Sequence, residues 1–279
     1  MRIEKTKESM MAFLEEKRGK GTIGFVPTMG ALHEGHLSLV RRSVKENDCT
    51  VVSVFVNPTQ FNNPEDLKTY PRTLDADVEL LKGTGCDLVF APSVEEMYPE
   101  PDQRTFDFGD LETVMEGAMR PGHFNGVGQV VSRLFDYVRP DRAYFGMKDF
   151  QQVAVIKKLV ELLNMNVEIV SCDIIREKDG LAKSSRNLLL TAEHREIAPL
   201  IHQAMKQAVA EHQTQTVKET IQKTIDVINE SPLLEVEYFS IVNDRTLQPI
   251  EKWEEAMSPV GCIAVQAGEV RLIDNIVFK

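Results

Sequence analysis

The sequence predicts an α/β protein with a Rossmann-like, doubly wound parallel sheet and a smaller C-terminal α+β domain. Three short runs rich in β-branched residues, at 22–26, 50–56 and 87–91, alternate with amphipathic segments, and the middle run is nearly all apolar. Such runs are typical of parallel strands that are covered on both faces. The alternation indicates the βαβαβ unit with which a doubly wound sheet begins.

The connections between these strands have the apolar period of helices. Their apolar residues lie three or four positions apart, at Leu37, Val40 and Val44 in the first connection and at Leu74, Val78 and Leu81 in the second. That period predicts one amphipathic helix in each connection, the first over 36–47. The alternation continues with strands predicted over 142–145 and 167–175 and a helix over 150–164.

A different pattern begins near residue 176 and predicts a second domain. Two polar amphipathic helices and three strands are expected there, the helices over 191–212 and 216–229 and the strands over 235–242, 262–267 and 270–273. Helices followed by a group of strands are typical of an α+β module with an antiparallel sheet. We therefore assign residues 1–175 to the Rossmann-like domain and residues 176–279 to the C-terminal domain.

Composition and charge exclude several classes of protein. The formal net charge is −11, and a chain so acidic lacks the excess of Lys and Arg that nucleic-acid backbones require. The four cysteines form no CxxC pair, which predicts reduced thiols of a cytoplasmic protein rather than a zinc site or a disulfide framework. No segment approaches the ~20 apolar residues of a membrane span, and the N-terminus has no signal-peptide core. We expect neither nucleic acid nor a membrane as a partner.

The segment TIGFVPTMGALHEGHLS, residues 22–38, joins the first predicted strand to the first predicted helix. In parallel sheets, ligands bind at the carboxyl ends of the strands. A helix that begins there would direct its free backbone N–H groups and the positive end of its dipole at an anion. Gly30 and Gly35 permit a close approach to the backbone, and His33 and His36 share one helix face. This combination predicts a site for a nucleotide triphosphate.

A second polar segment, GLAKSSRN at residues 180–187, follows the last strand of the first domain. Its Lys, Ser and Arg side chains offer charges and hydroxyl donors to phosphate oxygens. Taken alone, the loop is more typical of a solvated turn, and the histidine pair is also compatible with a metal site or with ordinary surface residues. No third metal-ligand motif accompanies the histidines, and the two segments together favour phosphate binding.

Longer motifs resemble known families. HEGH at 33–36 resembles the HIGH motif of the nucleotidyltransferase superfamily, and KSSR at 183–186 resembles its KMSKS loop. The resemblance to the pantoate–β-alanine ligase family covers nearly the whole chain, in the segments FVPTMGALHEGH, VFVNPTQFNNPEDLKTYPRT, MRPGHFNGVGQVV, YFGMKDFQQ and REKDGLAKSSRN. It implies condensation of (R)-pantoate with β-alanine through a pantoyl adenylate, with Mg²⁺-bound ATP as the substrate and AMP and pyrophosphate as products. It also implies a homodimer, for which the apolar stretches around 111–138 are a candidate surface.

The resemblance implies a role for each of several residues. His33, His36 and Lys148 are expected to be catalytic. ATP is expected to contact three segments of the chain, and Ile175 is expected to lie on the adenine side. The first segment is Met29, Gly30, Ala31, Leu32, His33, Glu34, Gly35 and His36, the second is Gly146, Met147, Lys148 and Asp149, and the third is Lys183, Ser184, Ser185 and Arg186. Pantoate and β-alanine are expected near Gln60 and Gln152, with Asn57 and Gln129 as neighbours. Some relatives have Met where this chain has Lys183. No metal ligand is assigned to the protein.

The residue types suit these roles. Amides donate and accept, which fits a substrate with two hydroxyls and a carboxylate. Lys148 would reach phosphates, although with Asp149 it could also form a weak surface ion pair. Asp75 and Asp77 could reach Mg²⁺, but the favoured interpretation is that both are first-turn acids of a helix. Since a reactive adenylate must be shielded from water, the C-terminal domain is the expected lid.

Other functions fit weaker features of the sequence. One alternative is another nucleotidyltransferase of the same fold, such as a cytidylyltransferase, which would have the same phosphate-binding motifs. A dinucleotide-dependent oxidoreductase would need GxGxxG, of which GVGQ at 126–129 is only a fragment. A non-catalytic nucleotide-binding module is the remaining alternative.

Overall fold

The computed structural model describes residues 1–62 and 64–279, which form two compact units. The first unit consists of Met1–Phe108, Arg120–Met147 and Gln152–Asp173, and the second of Gly109–Met119, Lys148–Gln151 and Ile174–Lys279. Two short internal segments thus group with the C-terminal residues. The sequence did not predict this grouping, because the contacts that produce it join residues far apart in the chain.

Two side chains illustrate these contacts within the second unit. The carboxylate of Glu116 accepts two hydrogen bonds from Arg271, both 2.8 Å long, and one from the Tyr238 hydroxyl at 2.9 Å. The amide of Asn275 donates to the carbonyl oxygen of Lys148 at 3.0 Å. Strands near the C-terminus therefore hold both internal segments.

The first unit contains a six-stranded parallel sheet in the order β1-β4-β3-β2-β5-β6. Its strands are β1 (Arg2–Glu4), β2 (Ile23–Thr28), β3 (Cys49–Val54), β4 (Leu88–Phe90), β5 (Arg142–Gly146) and β6 (Glu168–Cys172). The predicted fold class is confirmed. Strand order reverses between β2 and β5, so their carboxyl ends mark the crevice where doubly wound sheets bind ligands. The edge strand β1 escaped prediction because three residues are too few to show a period.

Helices of the first unit pack on this sheet, and the second unit contains further helices of its own. In chain order, the helices are α1 (Lys7–Lys17), α2 (Glu34–Glu46), α3 (Pro64–Thr69), α4 (Leu74–Leu81), α5 (Val94–Met97), α6 (Met115–Met119), α7 (His123–Val138), α8 (Phe150–Leu162), α9 (Ala192–Ile197), α10 (Leu200–Glu211) and α11 (Val217–Asn229). The predicted apolar faces are buried as expected: Leu37 and Val40 of α2 and Leu81 of α4 pack in one cluster with Val26 and Val52 of the sheet. The burial of these residues holds α2 against the sheet beside β2.

Helix α7 was not predicted, although it is buried on most of its surface. The apolar residues of α7 do share one face, but Gly126 and Gly128 lower the helix propensity of this segment and obscure its helical pattern. A Cβ on Gly126 would lie 2.3 Å from the carbonyl oxygen of Thr59, and one on Gly128 would lie 2.7 Å from the Phe106 ring. The glycines thus permit close packing. Because GVGQ lies inside a helix rather than between strand and helix, it is not a dinucleotide-binding turn.

The second unit contains a three-stranded antiparallel sheet in the order β7-β8-β9. Its strands are β7 (Glu235–Val242), β8 (Val260–Ala267) and β9 (Val270–Val277). Helices α10 and α11 pack on this sheet. The single helix predicted over 191–212 is two helices, α9 and α10, because Pro199 lies between them and has no N–H to continue a helix.

The four cysteines are buried thiols. Burial raises the pKa of Cys49 to about 11 and that of Cys86 to about 12, so both remain protonated at neutral pH.

In the described part of the chain, no helix is long and apolar enough to cross a bilayer.

We expect Gly126→Ala to destabilise the protein by about 2 kcal/mol, because the added methyl group would collide with backbone atoms at Thr59. In an open helix the same change is stabilising, so the sign of the effect reports the packing. Urea unfolding measures it. Asp136→Ala on the exposed face of α7 is the control and should shift the free energy of unfolding by less than about 0.5 kcal/mol. A stabilised Gly126→Ala would contradict this packing.

Candidate active site

The carboxyl end of β2 continues into a left-handed loop, residues 29–32, which precedes α2. Gly30 has φ +83° and Ala31 has φ +49°. The hydroxyl of Thr28 accepts a hydrogen bond from the Gly30 N–H at 3.2 Å. The left-handed conformation of Gly30 and Ala31 turns the chain sharply after β2. Helix α2 then begins at Glu34, with His33 as its N-cap residue.

The imidazoles of His33 and His36 cap α2 reciprocally. The Gly35 N–H donates to Nδ1 of His33 at 3.1 Å, and the His33 N–H donates to Nδ1 of His36 at 3.3 Å. Their ring centroids are 4.1 Å apart. A ring nitrogen that accepts a hydrogen bond has no proton, so the proton of each ring lies on Nε2. The pair therefore has Nε2–H donors of the kind that phosphate oxygens accept.

The prediction of free backbone N–H groups at this helix start is wrong in part. Besides the two groups bound by imidazoles, the Ala31 N–H donates to Oδ2 of Asp77 at 3.0 Å and the Leu32 N–H donates to Oδ1 at 2.7 Å. Side chains thus satisfy these donors inside the protein. The backbone N–H groups of Ala31 and Leu32 are therefore not available to a ligand.

Asp77 lies in the first turn of α4, as the favoured interpretation of its sequence position predicted. Its carboxylate is 1% exposed, and the Thr73 hydroxyl lies 3.3 Å from each of its oxygens. Asp75, in the same turn, is exposed. Sequence reasoning missed the contact of Asp77 with the 29–32 loop, because no local signal links residues so far apart in the chain.

Polar residues after β3 form a hydrogen-bonded group with that loop. The Asn57 amide nitrogen donates to Oε1 of Gln60 at 3.1 Å and to the carbonyl oxygen of Gly126 at 3.2 Å, and its oxygen accepts from the Tyr98 hydroxyl at 2.8 Å. The Gln60 amide nitrogen donates to the sulfur of Met29 at 3.2 Å. The structure thus joins three predicted site residues and orients the nitrogen of Gln60 toward the 29–32 loop.

Tyr98 is a member of this group that the sequence did not indicate. Burial raises the pKa of its hydroxyl, which therefore stays protonated and able to donate. Gln129 is also buried, and its amide nitrogen donates to the carbonyl oxygens of Asp102 and Arg104 at 3.0 and 2.9 Å. Gln152 lies half-buried in the first turn of α8.

The remaining predicted ATP residues follow β5 and β6. Gly146 ends β5, and Met147, Lys148 and Asp149 form a short 3-10 helix after it. Within the second unit, Nζ of Lys148 lies 3.7 Å from Oδ1 of Asp149. A partly exposed pair at this distance adds little to stability.

The KSSR loop, residues 183–186, is anchored within the second unit. The Lys183 N–H donates to the carbonyl oxygen of Ile175 at 3.0 Å, and its Nζ lies 2.8 Å from Oε2 of Glu177. Ser184 caps the 3-10 helix Ser185–Leu189 by accepting from the Arg186 N–H at 3.3 Å. The structure thus brings Ile175 and Lys183 together within the second unit, and their common contact with ATP stays a prediction.

An ion pair between the half-buried Arg176 and the buried Asp274 lies at the base of the KSSR loop. Arg176 donates to the two carboxylate oxygens of Asp274 at 2.6 and 2.9 Å and to the carbonyl oxygen of Gly180 at 3.1 Å. Such bidentate pairs are geometrically specific. The histidines and amides belong to the first unit and the cations Lys148, Lys183 and Arg186 to the second, so their action on one ligand stays a prediction.

We expect His33→Ala to lower the free energy of unfolding by about 1 kcal/mol, because it removes the N-cap acceptor of α2. His33→Asn should keep most of that stability, because an amide oxygen replaces Nδ1 at the cap and Asn is a preferred N-cap residue. Urea unfolding of the two variants measures the difference. Equal stability of both variants would show that the ring nitrogen of His33 does not cap the helix.

Comparison with known proteins extends over the whole chain. Residues 2–277 match the family model of pantoate-beta-alanine ligase. A protein of Bacteroides thetaiotaomicron described as pantothenate synthetase is 56% identical over 280 residues, which cover 100% of this chain and 99% of that protein. The pantothenate synthetase of Porphyromonas gingivalis W83 is 54% identical and fully covered by the match.

Solved structures agree with these sequence matches. The crystal structure of pantothenate synthetase from Thermus thermophilus matches with a TM-score of 0.92 and 43% identity, covering 99% of both chains. The pantoate-beta-alanine ligase of Francisella tularensis, crystallised with beta-gamma ATP and beta-alanine, matches with a TM-score of 0.86 and 35% identity over 99% of this chain and 97% of that chain.

Proposed function

The chain belongs to the pantoate–β-alanine ligase family, and from this premise we propose that it joins (R)-pantoate to β-alanine in two steps. In the first, the pantoate carboxylate attacks the α-phosphorus of ATP and expels pyrophosphate. In the second, the β-alanine amine attacks the acyl carbon of pantoyl adenylate and expels AMP. Neither step needs a protein nucleophile, so catalysis is positioning and charge stabilisation.

The strongest support from the structure is the pair of capping imidazoles. Because Nδ1 of each ring accepts a backbone N–H, each ring is held rigidly with its proton on Nε2. A donor that is fixed before the reaction needs no reorganisation when charge develops. In our proposal His33 and His36 donate to phosphate oxygens of ATP as the α-phosphorus is attacked.

The cations of the second unit supply the remaining charge stabilisation in this mechanism. Lys148, Lys183 and Arg186 neutralise charge on the departing pyrophosphate, and Ser184 and Ser185 add hydroxyl donors. Since Lys183 pairs with Glu177, phosphate would have to replace that carboxylate. Such exchange of one anion for another costs less than desolvating an unpaired lysine.

The amides bind pantoate in this mechanism. Gln60 and Gln152 hold its hydroxyls and carboxylate, with Asn57 and Gln129 as neighbours. Asn57 is 1% exposed and contacts Oε1 of Gln60. We assign Asn57 to the orientation of Gln60, so that the amide nitrogen of Gln60 is the donor to substrate oxygens.

Mg²⁺ enters with ATP in our proposal. Within residues 1–62 and 64–279, no group of three or more His, Cys, Asp or Glu side chains could hold a metal ion. Mg²⁺ commonly keeps several waters and is bound mainly by substrate phosphates, so a dedicated protein cage is not needed. Bound in this way, it would neutralise part of the triphosphate charge.

We also propose that the protein is a cytoplasmic homodimer and that residues 176–279 with the KSSR loop act as a lid over the adenylate. Shielding is required because water would hydrolyse this intermediate. Analytical ultracentrifugation tests the dimer, and a monomer would refute it. Hydrogen exchange of residues 180–190 tests the lid, which fails if nucleotide leaves the exchange unchanged.

Product analysis tests the reaction directly. Incubated with pantoate, β-alanine and Mg²⁺–ATP, the protein should produce AMP and pyrophosphate in equal amounts with pantothenate. ³¹P NMR distinguishes these products from ADP and phosphate. Formation of ADP and phosphate would refute the adenylate, and activity with CTP in place of ATP would indicate a cytidylyltransferase.

We expect His33→Asn, His36→Asn and Lys148→Ala each to lower the first-step rate by about 10²–10³, because each loses one preorganised donor. Pantoate-dependent exchange of pyrophosphate into ATP measures that step alone. Urea unfolding of each variant, measured beside its activity, separates catalysis from capping, and His33→Asn should keep most of the wild-type stability. His194→Asn, outside the candidate site, is the control and should retain full activity. Wild-type exchange in all three site variants would refute these roles.

A further inference from the structure

The carboxylate of Asp77, in α4, accepts hydrogen bonds from the backbone of the loop between β2 and α2. Its two oxygens accept the N–H groups of Ala31 and Leu32 at 3.0 and 2.7 Å, and it is 1% exposed. A Cβ on Gly30 would lie 3.0 Å from Oδ2, so the glycine leaves room for the carboxylate to reach both donors. A buried carboxylate in this position requires such donors, because an unsatisfied buried charge is strongly disfavoured.

The loop needs an external restraint of this kind. Ala31 has φ +49°, a left-handed conformation that L-residues with a Cβ rarely adopt. Strained backbone of this type persists only where surrounding interactions hold it. Hydrogen bonds to a charged acceptor are stronger than bonds to a neutral one, and here they bind the strained residue and the residue after it.

Both ends of the loop lead to proposed substrate contacts. At its start, the sulfur of Met29 accepts from the amide of Gln60 at 3.2 Å. At its end, the Leu32 N–H bound by Asp77 immediately precedes His33, the residue that caps α2. A shift of the loop would therefore move the first imidazole and change the orientation of the pantoate amide together.

We propose that Asp77 is a positioning residue for the adenylation step, acting through the left-handed loop that holds His33 and Met29 in place. This inference rests on the proposed function for its effect on catalysis. Asp77 itself touches no reacting atom, and the Thr73 hydroxyl, 3.3 Å from each oxygen, supports the carboxylate from behind.

The loop contact is tested without reference to activity by amide hydrogen exchange. Asp77→Asn replaces one acceptor oxygen with an NH₂ group that cannot accept, so the amides of Ala31 or Leu32 should exchange at least about tenfold faster. Asp75→Asn, an exposed change two residues away in the same helical turn, should leave both amides unchanged. Unchanged exchange in Asp77→Asn would overturn the proposal.

The catalytic consequence is tested by pantoate-dependent pyrophosphate–ATP exchange per mole of folded enzyme. Asp77→Asn should lower the maximal rate by about 10- to 100-fold, within the range for misplaced catalytic donors. Asp75→Asn should retain the wild-type rate. Faster amide exchange combined with a wild-type rate would overturn the positioning role.

A second substitution separates positioning from general destabilisation. Glycine adopts the left-handed conformation without strain, so adding Ala31→Gly to Asp77→Asn should restore the rate at least about threefold relative to Asp77→Asn alone. A structural role that leaves the folded loop intact predicts no recovery, and no recovery would count against the proposal.

A milder variant covers the case in which Asp77→Asn does not fold. Thr73→Val removes the hydroxyl that supports the carboxylate and should change amide exchange and reaction rate in the same directions, by about two- to fivefold. No change in either would overturn the proposal. If the wild-type protein itself forms no AMP and pyrophosphate, the proposed function fails, whereas the amide exchange of Ala31 and Leu32 still decides whether Asp77 holds the loop.

Discussion

The N–H groups of His33 and Gly35 donate to the ring nitrogens Nδ1 of His36 and His33, and the proposed chemistry depends on these two hydrogen bonds. They satisfy backbone donors that a helix start would otherwise leave unpaired. They also determine the tautomer of both rings, because an accepting nitrogen has no proton. One arrangement thus begins α2 and prepares two donors at the crevice of a doubly wound sheet, where such folds bind ligands.

Buried polar groups behind the candidate site keep its loops in place. Asp77 holds the left-handed loop from α4, and Asn57, with the Tyr98 hydroxyl behind it, orients Gln60. None of these supporting groups needs to touch a substrate. Because a buried polar group is costly unless it is hydrogen-bonded, the hydrogen bonds of each supporting group restrict its own position and that of its partner.

The sequence was sufficient for most of the sheet and for the family, since the period of Leu37 and Val40 and the long motifs are local signals. It could not reveal what depends on contacts between distant residues. Asp77 meets the 29–32 loop across 45 or 46 positions, and the packing of α7 against Thr59 appears only in three dimensions. The strand and helix periods also give no indication that residues 109–119 and 148–151 group with the C-terminal unit. The two cysteine pKa values likewise follow from burial, which no spacing in the sequence specifies.

The tautomers of His33 and His36 provide the most direct measurement, by long-range ¹H–¹⁵N correlation spectra of protein labelled with ¹⁵N-histidine. We expect both rings, at neutral pH and without ligand, to be neutral with the proton on Nε2, and we expect the Nε2 resonances to shift when Mg²⁺–ATP is added. Rings protonated on Nδ1, or Nε2 resonances that are unaffected by ATP, would contradict the central claim that the capping bonds prepare these imidazoles as donors to the nucleotide.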